Sequence, residues 1–344
     1  MNQIRTVSVF LILTLLAGCG SDRQSAKEPA VRLAITRGSI LYFPVYLAQS
    51  LGYYDQEGVA VSFQETSGAP KSMQSLLGGT ADVVCGGFMA VVMMNAEHRP
   101  IQAFEVLTRY SAFVGLVSPA AHKSITRIED LDGATVGVSS PGSDQQMLLN
   151  FICARHGVNL THVNAVAVGA GASAAKALER GTVDAAVESG TVVSLLKKRY
   201  PSTAILFDLR SREGLQKYLG VGDLAHSVLY AKADWIRAHS DAVSGMVRAT
   251  FKASDWARTH STTEIRHHLP ASLLTGDSEI DADAIESIIP LLSPDGMFSP
   301  EQLEAARKIL AVSNESIRSG QAADLSHSYT NQFINRTAEE APRR

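Results

Sequence analysis

The chain has 344 residues, of which 45% are hydrophobic and 19% are charged. A chain of this length and apolar content can bury a large core and is typical of a protein with two lobes. Its formal net charge is −3, and no basic run occurs in it. The charge argues against a nucleic-acid-binding surface, because such a surface needs a clustered positive excess.

The first 30 residues have the pattern of an export signal followed by a tether. Arg5 charges a short initial region, an apolar run covers 7–16, and Leu16-Ala17-Gly18-Cys19 resembles a bacterial lipobox. The apolar run is too short to span a bilayer. We therefore predict a lipoprotein signal peptide at 1–18, a lipidated Cys19, and a polar tether over 19–30. The alternative is an ordinary secretory signal that contains a cysteine.

The two remaining cysteines carry little chemical signal. Cys85 lies in an apolar strand pattern and Cys153 in an apolar helix pattern, which favours two buried small side chains over a disulfide. No C-x-x-C or Cys/His spacing points to a metal, and we expect no cofactor.

The first β-α-β unit begins directly after the tether. A strand is predicted at 31–35, a polar turn at 36–39, and a helix that starts at Pro44 and stops at Gly52. Alternating side chains at 59–63 predict the next strand. Open α/β sheets bind ligands at the carboxyl ends of their strands, so the turn is a candidate site.

The same alternation of strands, small-residue loops and helices continues along the chain. Helix N-termini that follow several strands would converge at one edge of a sheet and offer free N–H groups. Ser299, Pro300 and Gln302 have the spacing of a capped helix start. Further strands are predicted at 83–85, 101–108, 113–118, 135–138, 163–168 and 227–232, and helices at 71–77, 88–94, 144–156, 174–180, 240–258 and 300–312.

Two parts of the chain repeat one pattern. Gly79-Thr80-Ala81-Asp82 lies between a helix and a strand, and Gly181-Thr182-Val183-Asp184 does the same in the second half. The repeat predicts two lobes of like topology that face each other across a cleft, with chance similarity as the alternative. We expect lobe 1 at 31–112 plus 226–344 and lobe 2 at 113–225, with the C-terminal helices bracing one lobe.

Several collinear motifs resemble the solute-binding proteins of ABC importers, in particular the group that takes up nitrate, sulfonates, taurine or thiamine-precursor pyrimidines. The resemblance implies an α/β, two-lobed type II periplasmic-binding fold, with a cleft between the lobes and two crossover strands. The lipobox agrees with it, because many such proteins are tethered lipoproteins. The motifs are Thr36-Arg37-Gly38, 44–48, 51–54, 79–83, 130–138 and 181–186.

Binding positions follow from this resemblance at the loop ends. The positions carried over are Ser39, Tyr42, Phe43, Gly68, Ala69, Phe88, Ser139, Ser140, Ser143, Ser173 and Glu188. Arg37 joins them as a side chain that can neutralise an anion, the alternative being a solvated arginine in a polar turn.

Each of these side chains has two interpretations, one as a ligand contact and one as a structural or surface residue. Hydroxyls and helix N–H groups at 139–143 suit an anionic or polar group, or form a plain helix cap. Tyr42 and Phe43 either stack on a planar ligand or seal the core. Glu188 either accepts from an amine or ring N–H, or is a surface carboxylate. Arg37 together with Glu188 favours a ligand of mixed polarity.

Other motifs are weaker. The glycine-rich run 169–174 imitates a dinucleotide fingerprint, but its helix is short and it lies in mid-chain. His267 and His268 are adjacent and so diverge on a helix. No nucleophile elbow, H-E-x-x-H motif or phosphate loop is present.

The sequence therefore predicts a lipid-anchored, extracytoplasmic binding protein. It would capture a small organic solute and deliver it to an ABC permease by closing its lobes. One alternative is an exported enzyme of the same fold acting on a pyrimidine-like or aromatic substrate, although the cysteine-rich motif and histidine cluster of the pyrimidine synthases are missing. The other alternative is a ligand-sensing lipoprotein.

Overall fold

The computed structural model describes residues 30–322 and 324–334. The predicted signal peptide, Cys19 and all but the last residue of the predicted tether lie outside the described residues. Within the described part, no helix is both long and apolar enough to cross a membrane.

Ten strands in the described part of the chain form two five-stranded sheets. The first sheet has the order β2-β1-β3-β10-β4 and the second the order β7-β6-β8-β5-β9. The strands are β1 Val31–Thr36, β2 Val61–Thr66, β3 Val83–Gly87, β4 Ile101–Val106, β5 Phe113–Val117, β6 Thr135–Val138, β7 Asn164–Ala167, β8 Ala185–Ser189, β9 Ile205–Asp208 and β10 Ser227–Lys232.

Helices cover and connect the sheets. The α-helices are α1 Phe43–Ser50, α2 Tyr53–Gln56, α3 Ala69–Leu77, α4 Phe88–Ala96, α5 Asp144–Arg155, α6 Ala172–Glu179, α7 Gly190–Arg199, α8 Arg212–Tyr218, α9 Ala233–Ala238, α10 Ser240–Thr259, α11 Thr262–His267, α12 Ser278–Glu286, α13 Pro300–Leu310 and α14 Glu315–Arg318. Short 3-10 turns occupy Ile40–Tyr42, Ile128–Leu131, Leu160–His162, Ala271–Leu273, Ile289–Leu291 and Leu325–Ser328.

Two antiparallel strands carry the chain between the sheets. β5 takes it from the first sheet into the second, where it pairs antiparallel with β8 and β9. β10 brings it back and pairs antiparallel with β3 and β4. The remaining pairings are parallel, and the inner strands β3, β6 and β8 are largely buried, whereas the edge strands β2 and β7 are partly exposed. The predicted α/β fold with two crossover strands is confirmed.

The internal repeat has a structural basis. Asp82 precedes β3, and its carboxylate accepts from the backbone N–H of Arg32 at 2.9 Å. Asp184 precedes β8, and its carboxylate accepts from the backbone N–H of Thr135 at 2.9 Å. Each aspartate thus ties the start of one parallel strand to the start of its neighbour in the sheet, β3 to β1 and β8 to β6. The same hydrogen bond in both sheets explains why the Gly-Thr-x-Asp pattern occurs twice.

Most predicted elements occur close to their expected positions. The predicted strand at 59–63 starts later, because the N–H of Val59 bonds to the carbonyl of Tyr54 and closes the turn after α2. β4 ends at Val106, two residues before the predicted limit. The capping box of α13 is confirmed by reciprocal bonds between Ser299 and Gln302. Cys85 and Cys153 are both buried and unbridged, as expected.

The C-terminal helices contact both sheets, whereas the sequence analysis expected them to brace one lobe. α12 packs on α7, and α13 packs on both α4 and α5. Ile280 of α12 belongs to the apolar cluster of the second sheet. Both helices bury apolar side chains, and their packing on α7 and α5 covers part of these faces. The predicted lobe limits themselves stay a prediction.

Candidate ligand-binding site between the two sheets

The strand ends of the two sheets face each other across a cleft with a narrow inner chamber of about 60 Å³. The first sheet contributes the ends of β1 and β3, and the second contributes the end of β8. The crossover strands contribute Phe113 and Ser227, their first residues. Such a chamber has room for a chemical group of a few heavy atoms.

A wider outer chamber of about 780 Å³ continues the cleft towards solvent. Both chambers share lining residues, among them Gly38, Ser139 and Gly171. Arg37 lines the outer chamber only, and its guanidinium donates to the Glu65 carboxylate at 3.0 Å. Its charge is therefore already matched by a neighbour.

Six helix N-termini converge on the inner chamber. Its lining includes the N-cap residues Tyr42, Gly87, Ser143, Gly171 and Ser189, together with Ala69, the first residue of α3. None of these six helices has a side-chain cap, so polar groups at the chamber wall are available to a ligand. The predicted convergence of helix starts is present, with more helices than the sequence analysis expected.

The loop 139–143 supplies a hydroxyl rather than a free backbone donor. The N–H of Ser139 bonds to the Gln145 side chain at 2.5 Å, and the N–H of Gly142 bonds to Gln146 at 2.8 Å. Ser143 is 3% exposed, and its Oγ has no hydrogen-bond partner. The Ser140 Oγ is also buried without a partner, but Ser140 lines neither chamber. The Ser143 hydroxyl is thus the group of this loop that a ligand in the inner chamber can engage.

Asp144, the first residue of α5, reaches across to the first sheet. Its carboxylate occupies the place that a side chain at Gly87 would fill. Burial raises the pKa of the Asp144 carboxyl to about 7. Tyr42 and Tyr230 lie close enough for its charge to raise the pKa of their phenols further. The Asp144 carboxyl therefore lines the chamber and also makes a contact between the two halves of the protein.

Glu188 is a second buried carboxyl in the same chamber. It is 2% exposed, lies near the end of β8, and pairs with Val114 in the sheet. Burial raises its pKa well above the usual value, opposed by a backbone hydrogen bond from Ser189. Its Oε1 has no hydrogen-bond partner. Glu188 therefore presents an unused acceptor, or a donor when protonated, to whatever enters.

His226 completes the polar lining where the crossover strands begin. Its ring packs edge-on against Phe113, with centroids 4.8 Å apart. Burial lowers the pKa of the imidazole to about 4, so the ring is neutral at pH 7. Its Nε2 has no hydrogen-bond partner.

The structure places half of the predicted site residues on the inner chamber wall. These are Ser39, Tyr42, Ala69, Ser139, Ser143 and Glu188. Gly68 and Ser140 line neither chamber but are neighbours, since a Cβ added at Gly68 would lie 3.3 Å from the Ser140 Oγ. Ser173 lines neither chamber, and its hydroxyl donates to the Val168 carbonyl at 2.7 Å.

Two predicted aromatic residues lie in the core instead. Phe43 is fully buried in the first helix, and Phe88 is fully buried against Phe298 and Tyr329. Neither lines the chamber. Both are the first residue of a helix, and the helix turn directs them away from the strand ends.

The sequence analysis missed several lining residues, notably Asp144, Gln145, Phe113 and His226. Asp144 directly follows the predicted loop, so the loop limit was drawn one residue short. Phe113 and His226 flank crossover strands, and no local pattern marks them. In the described part of the chain, no group of three or more metal-ligating side chains occurs.

The order of the two sheets, their two crossover strands and the chamber between them define a protein of the two-lobed periplasmic-binding class. The chain belongs to the family described as NMT1/THI5 like, whose model matches residues 41–263.

Two curated relatives illustrate the range of this similarity. YtlA of Bacillus subtilis (strain 168), named as a binding protein, is 24% identical over 340 residues, covering 97% of this chain and 94% of YtlA. A 4-amino-5-hydroxymethyl-2-methylpyrimidine phosphate synthase of Schizosaccharomyces pombe is 24% identical over 222 residues, covering 62% of this chain and 61% of the synthase.

Solved structures share the fold over most of the chain. A protein from Bordetella bronchiseptica RB50 superposes with a TM-score of 0.85 at 29% identity, covering 92% of this chain and 99% of that one. The aliphatic sulphonate binding protein SsuA of Escherichia coli superposes with a TM-score of 0.66 at 17% identity, covering 87% and 91%.

Proposed function

We propose that the protein is the solute-binding component of an ABC importer, which captures a small organic solute between its two sheets and hands it to a permease. The observation that carries this proposal is the set of unpartnered polar atoms in the inner chamber, Ser143 Oγ, Glu188 Oε1 and His226 Nε2. A buried polar atom without a partner costs about 1–3 kcal/mol, so a ligand that supplies the missing hydrogen bonds gains that stabilisation.

The two-sheet arrangement explains how capture is coupled to delivery. A solute held between strand ends of both sheets binds the closed form better than an open one, and so shifts the population towards closure. A permease that recognises the closed form then receives loaded protein selectively. Relatives and structural neighbours named as binding proteins support this role.

The same proposal includes a lipid anchor at Cys19. The lipobox pattern of 16–19 and the polar segment after it support a folded body tethered at the extracytoplasmic membrane face. Replacement of Cys19 by alanine in the full-length chain should move the protein from the membrane fraction to the soluble envelope fraction. Retention of the variant at the membrane would contradict the anchor and leave the binding role intact.

The fungal relatives named as synthases favour a second candidate, an enzyme of the same fold. The two candidates differ in what happens to a bound solute. A binding protein returns its solute chemically unchanged, whereas an enzyme releases a product. Mass spectrometry of a solute that raises the melting temperature, before and after prolonged incubation with the protein, separates them. Accumulation of a product would overturn the binding-protein proposal.

A further inference from the structure

The inner chamber carries two acidic side chains and no basic one. Asp144 and Glu188 both line it, and none of its described lining residues is a lysine or arginine. The lysine and arginine side chains that line the cleft, Arg37, Lys198 and Arg199, lie only in the outer chamber, where Arg37 is bonded to Glu65. His226 is neutral at pH 7 and adds no charge.

This distribution disfavours a bare oxyanion in the inner chamber. An anion would enter a poorly hydrated space beside two carboxyl groups, which repel it when they are ionised and offer it one O–H donor each when they are protonated. The helix N-termini around the chamber favour negative charge, but the protein already places its own carboxylate in the first turn of α5.

A nitrogen group that donates hydrogen bonds is a suitable partner for the buried acceptor atoms of the inner chamber that have none. Glu188 Oε1 and Ser143 Oγ are buried acceptors without partners. The small volume of the inner chamber limits the entering part to a compact head group, while the outer chamber can hold a larger polar or apolar remainder.

Building on the proposed binding function, we propose that the inner chamber recognises the cationic nitrogen group of an organic solute, a protonated amine or amidine, through Glu188 and Asp144. The rest of the solute extends into the outer chamber. No covalent step is involved.

Calorimetric titration with benzamidine, benzamide and benzenesulfonate tests the charge requirement, because these probes share one ring and differ in the charge of the head group. Butylamine and butanesulfonate repeat the comparison without the ring. We expect binding of the two cations, and at least tenfold weaker binding of the neutral and anionic analogues.

The same titrations on variants test the assignment of residues. Glu188→Gln and Asp144→Asn should each weaken cation binding at least tenfold. Glu315→Gln, which changes an exposed carboxyl paired with Arg318 outside both chambers, should leave it unchanged. Circular dichroism and the melting temperature of each apo variant show that the loss is not due to unfolding.

The failures of the two proposals are distinguishable. Binding of benzenesulfonate or butanesulfonate in preference to the cations would overturn the cation inference while supporting a solute binder. Cation binding that survives both Glu188→Gln and Asp144→Asn would overturn it as well. Failure of both cations to bind would also overturn the cation inference. In that case, native mass spectrometry of the purified protein, with identification of any solute released on denaturation, tests the binding function independently of the cation inference.

Discussion

Ser143 has a buried hydroxyl that forms no hydrogen bond in the empty protein and is available to a bound ligand. It stands at the N-cap of α5, yet its hydroxyl makes no cap hydrogen bond and has no partner although it is buried. A cap hydroxyl normally bonds to the N–H of the second or third helical residue. The unused hydroxyl is explained if its partner arrives with a ligand.

Replacement of Ser139 and Ser143 together by alanine should therefore abolish the ligand-induced rise in melting temperature. The apo melting temperature should change little, because removal of an unpartnered buried hydroxyl costs the folded state no hydrogen bond. Differential scanning fluorimetry measures both quantities. Ser173→Ala is the matched control, since that serine bonds to Val168 outside the chamber. An unchanged ligand shift in the double variant would remove this loop from the site.

Asp144 makes the stability of the empty protein depend on pH. The folded-state pKa of its carboxyl, about 7, lies above the value of 3.8 expected in the unfolded chain. The folded state therefore binds the proton more tightly, so the stabilisation is fully present below about pH 4 and is lost as the pH rises through 7. Asp144→Asn should flatten the decline in unfolding free energy between pH 5 and 8, measured by urea denaturation at several pH values. An identical decline in the variant would contradict the assignment.

Cation binding should show the opposite dependence on pH. Burial raises the pKa of the Asp144 carboxyl to about 7 and also raises the pKa of Glu188, so ionisation of Asp144 between pH 5 and pH 8 should increase the affinity for a cation. The other titratable groups near Asp144 stay neutral across this range, because burial raises the pKa of Tyr42, Tyr230 and Cys85 and lowers that of His226 to about 4. Calorimetry of benzamidine binding at several pH values measures the trend, and an affinity that falls with pH would indicate a ligand that accepts from protonated carboxyls.

At the scale of elements, the end of β3 decides how closely the two halves approach. Gly87 has φ −86° and ψ 142°, a backbone conformation that any residue adopts, so its lack of a side chain serves packing rather than the turn. The space beside it is filled by the Asp144 carboxylate from the other half. Gly87 thus leaves the space into which the first residue of α5 fits when the two halves are in contact.

Gly87→Ala should hold the two halves apart without unfolding either. We expect a small change in apo melting temperature and at least a tenfold loss of affinity for any solute that closes the cleft. In the double variant Gly87→Ala/Asp144→Ala the added methyl group has room, so closure should return, as measured by the distance between the halves. Full affinity in the single variant would contradict the seating of Asp144 on Gly87.

The C-terminal helices form a second connection between the halves. Ile280 of α12 is buried in the apolar cluster of the second sheet. Ile280→Ala should lower the unfolding free energy by about 2–4 kcal/mol, because it leaves a cavity in that cluster. Glu279→Ala, the exposed neighbour that pairs with Lys198, should cost about 0–1 kcal/mol. Equal effects in denaturant titrations would mean that α12 does not support the second half.

Elements governed by local patterns could be predicted, and those governed by distant neighbours could not. The capping box at Ser299 is a local pattern. The repeat at Asp82 and Asp184 was visible because the same short motif occurs twice, although its hydrogen bonds join residues 50 and 49 positions apart. The packing of α12 on α7 depends on which apolar faces meet after folding. Phe43 and Phe88 lie in the core, and neighbours that bury them, such as Phe298 beside Phe88, are distant in the sequence.

For the molecule as a whole, the two sheets have equivalent strand orders, and we expect ligand binding to be coupled to a movement of one sheet relative to the other. Each sheet offers its own helix N-termini and strand ends, but the chamber exists only where the two meet. β5 and β10 are the links through which one sheet can turn relative to the other, and both begin at the chamber wall. A solute at Phe113 and His226 therefore lies directly at the hinge strands.

The distance between the halves tests this account most directly. Lys71 on α3 and Lys176 on α6 are exposed, and Cys85 and Cys153 are buried, so Lys71→Cys/Lys176→Cys can be spin-labelled selectively in a chain whose Cys19 is replaced by alanine. Pulsed electron paramagnetic resonance should give a broad distribution of distances between the two labels in the empty protein. A solute that raises the melting temperature should make this distribution narrower and shift it to shorter distances. A distribution that stays the same when that solute is bound would contradict closure of the two sheets on a ligand.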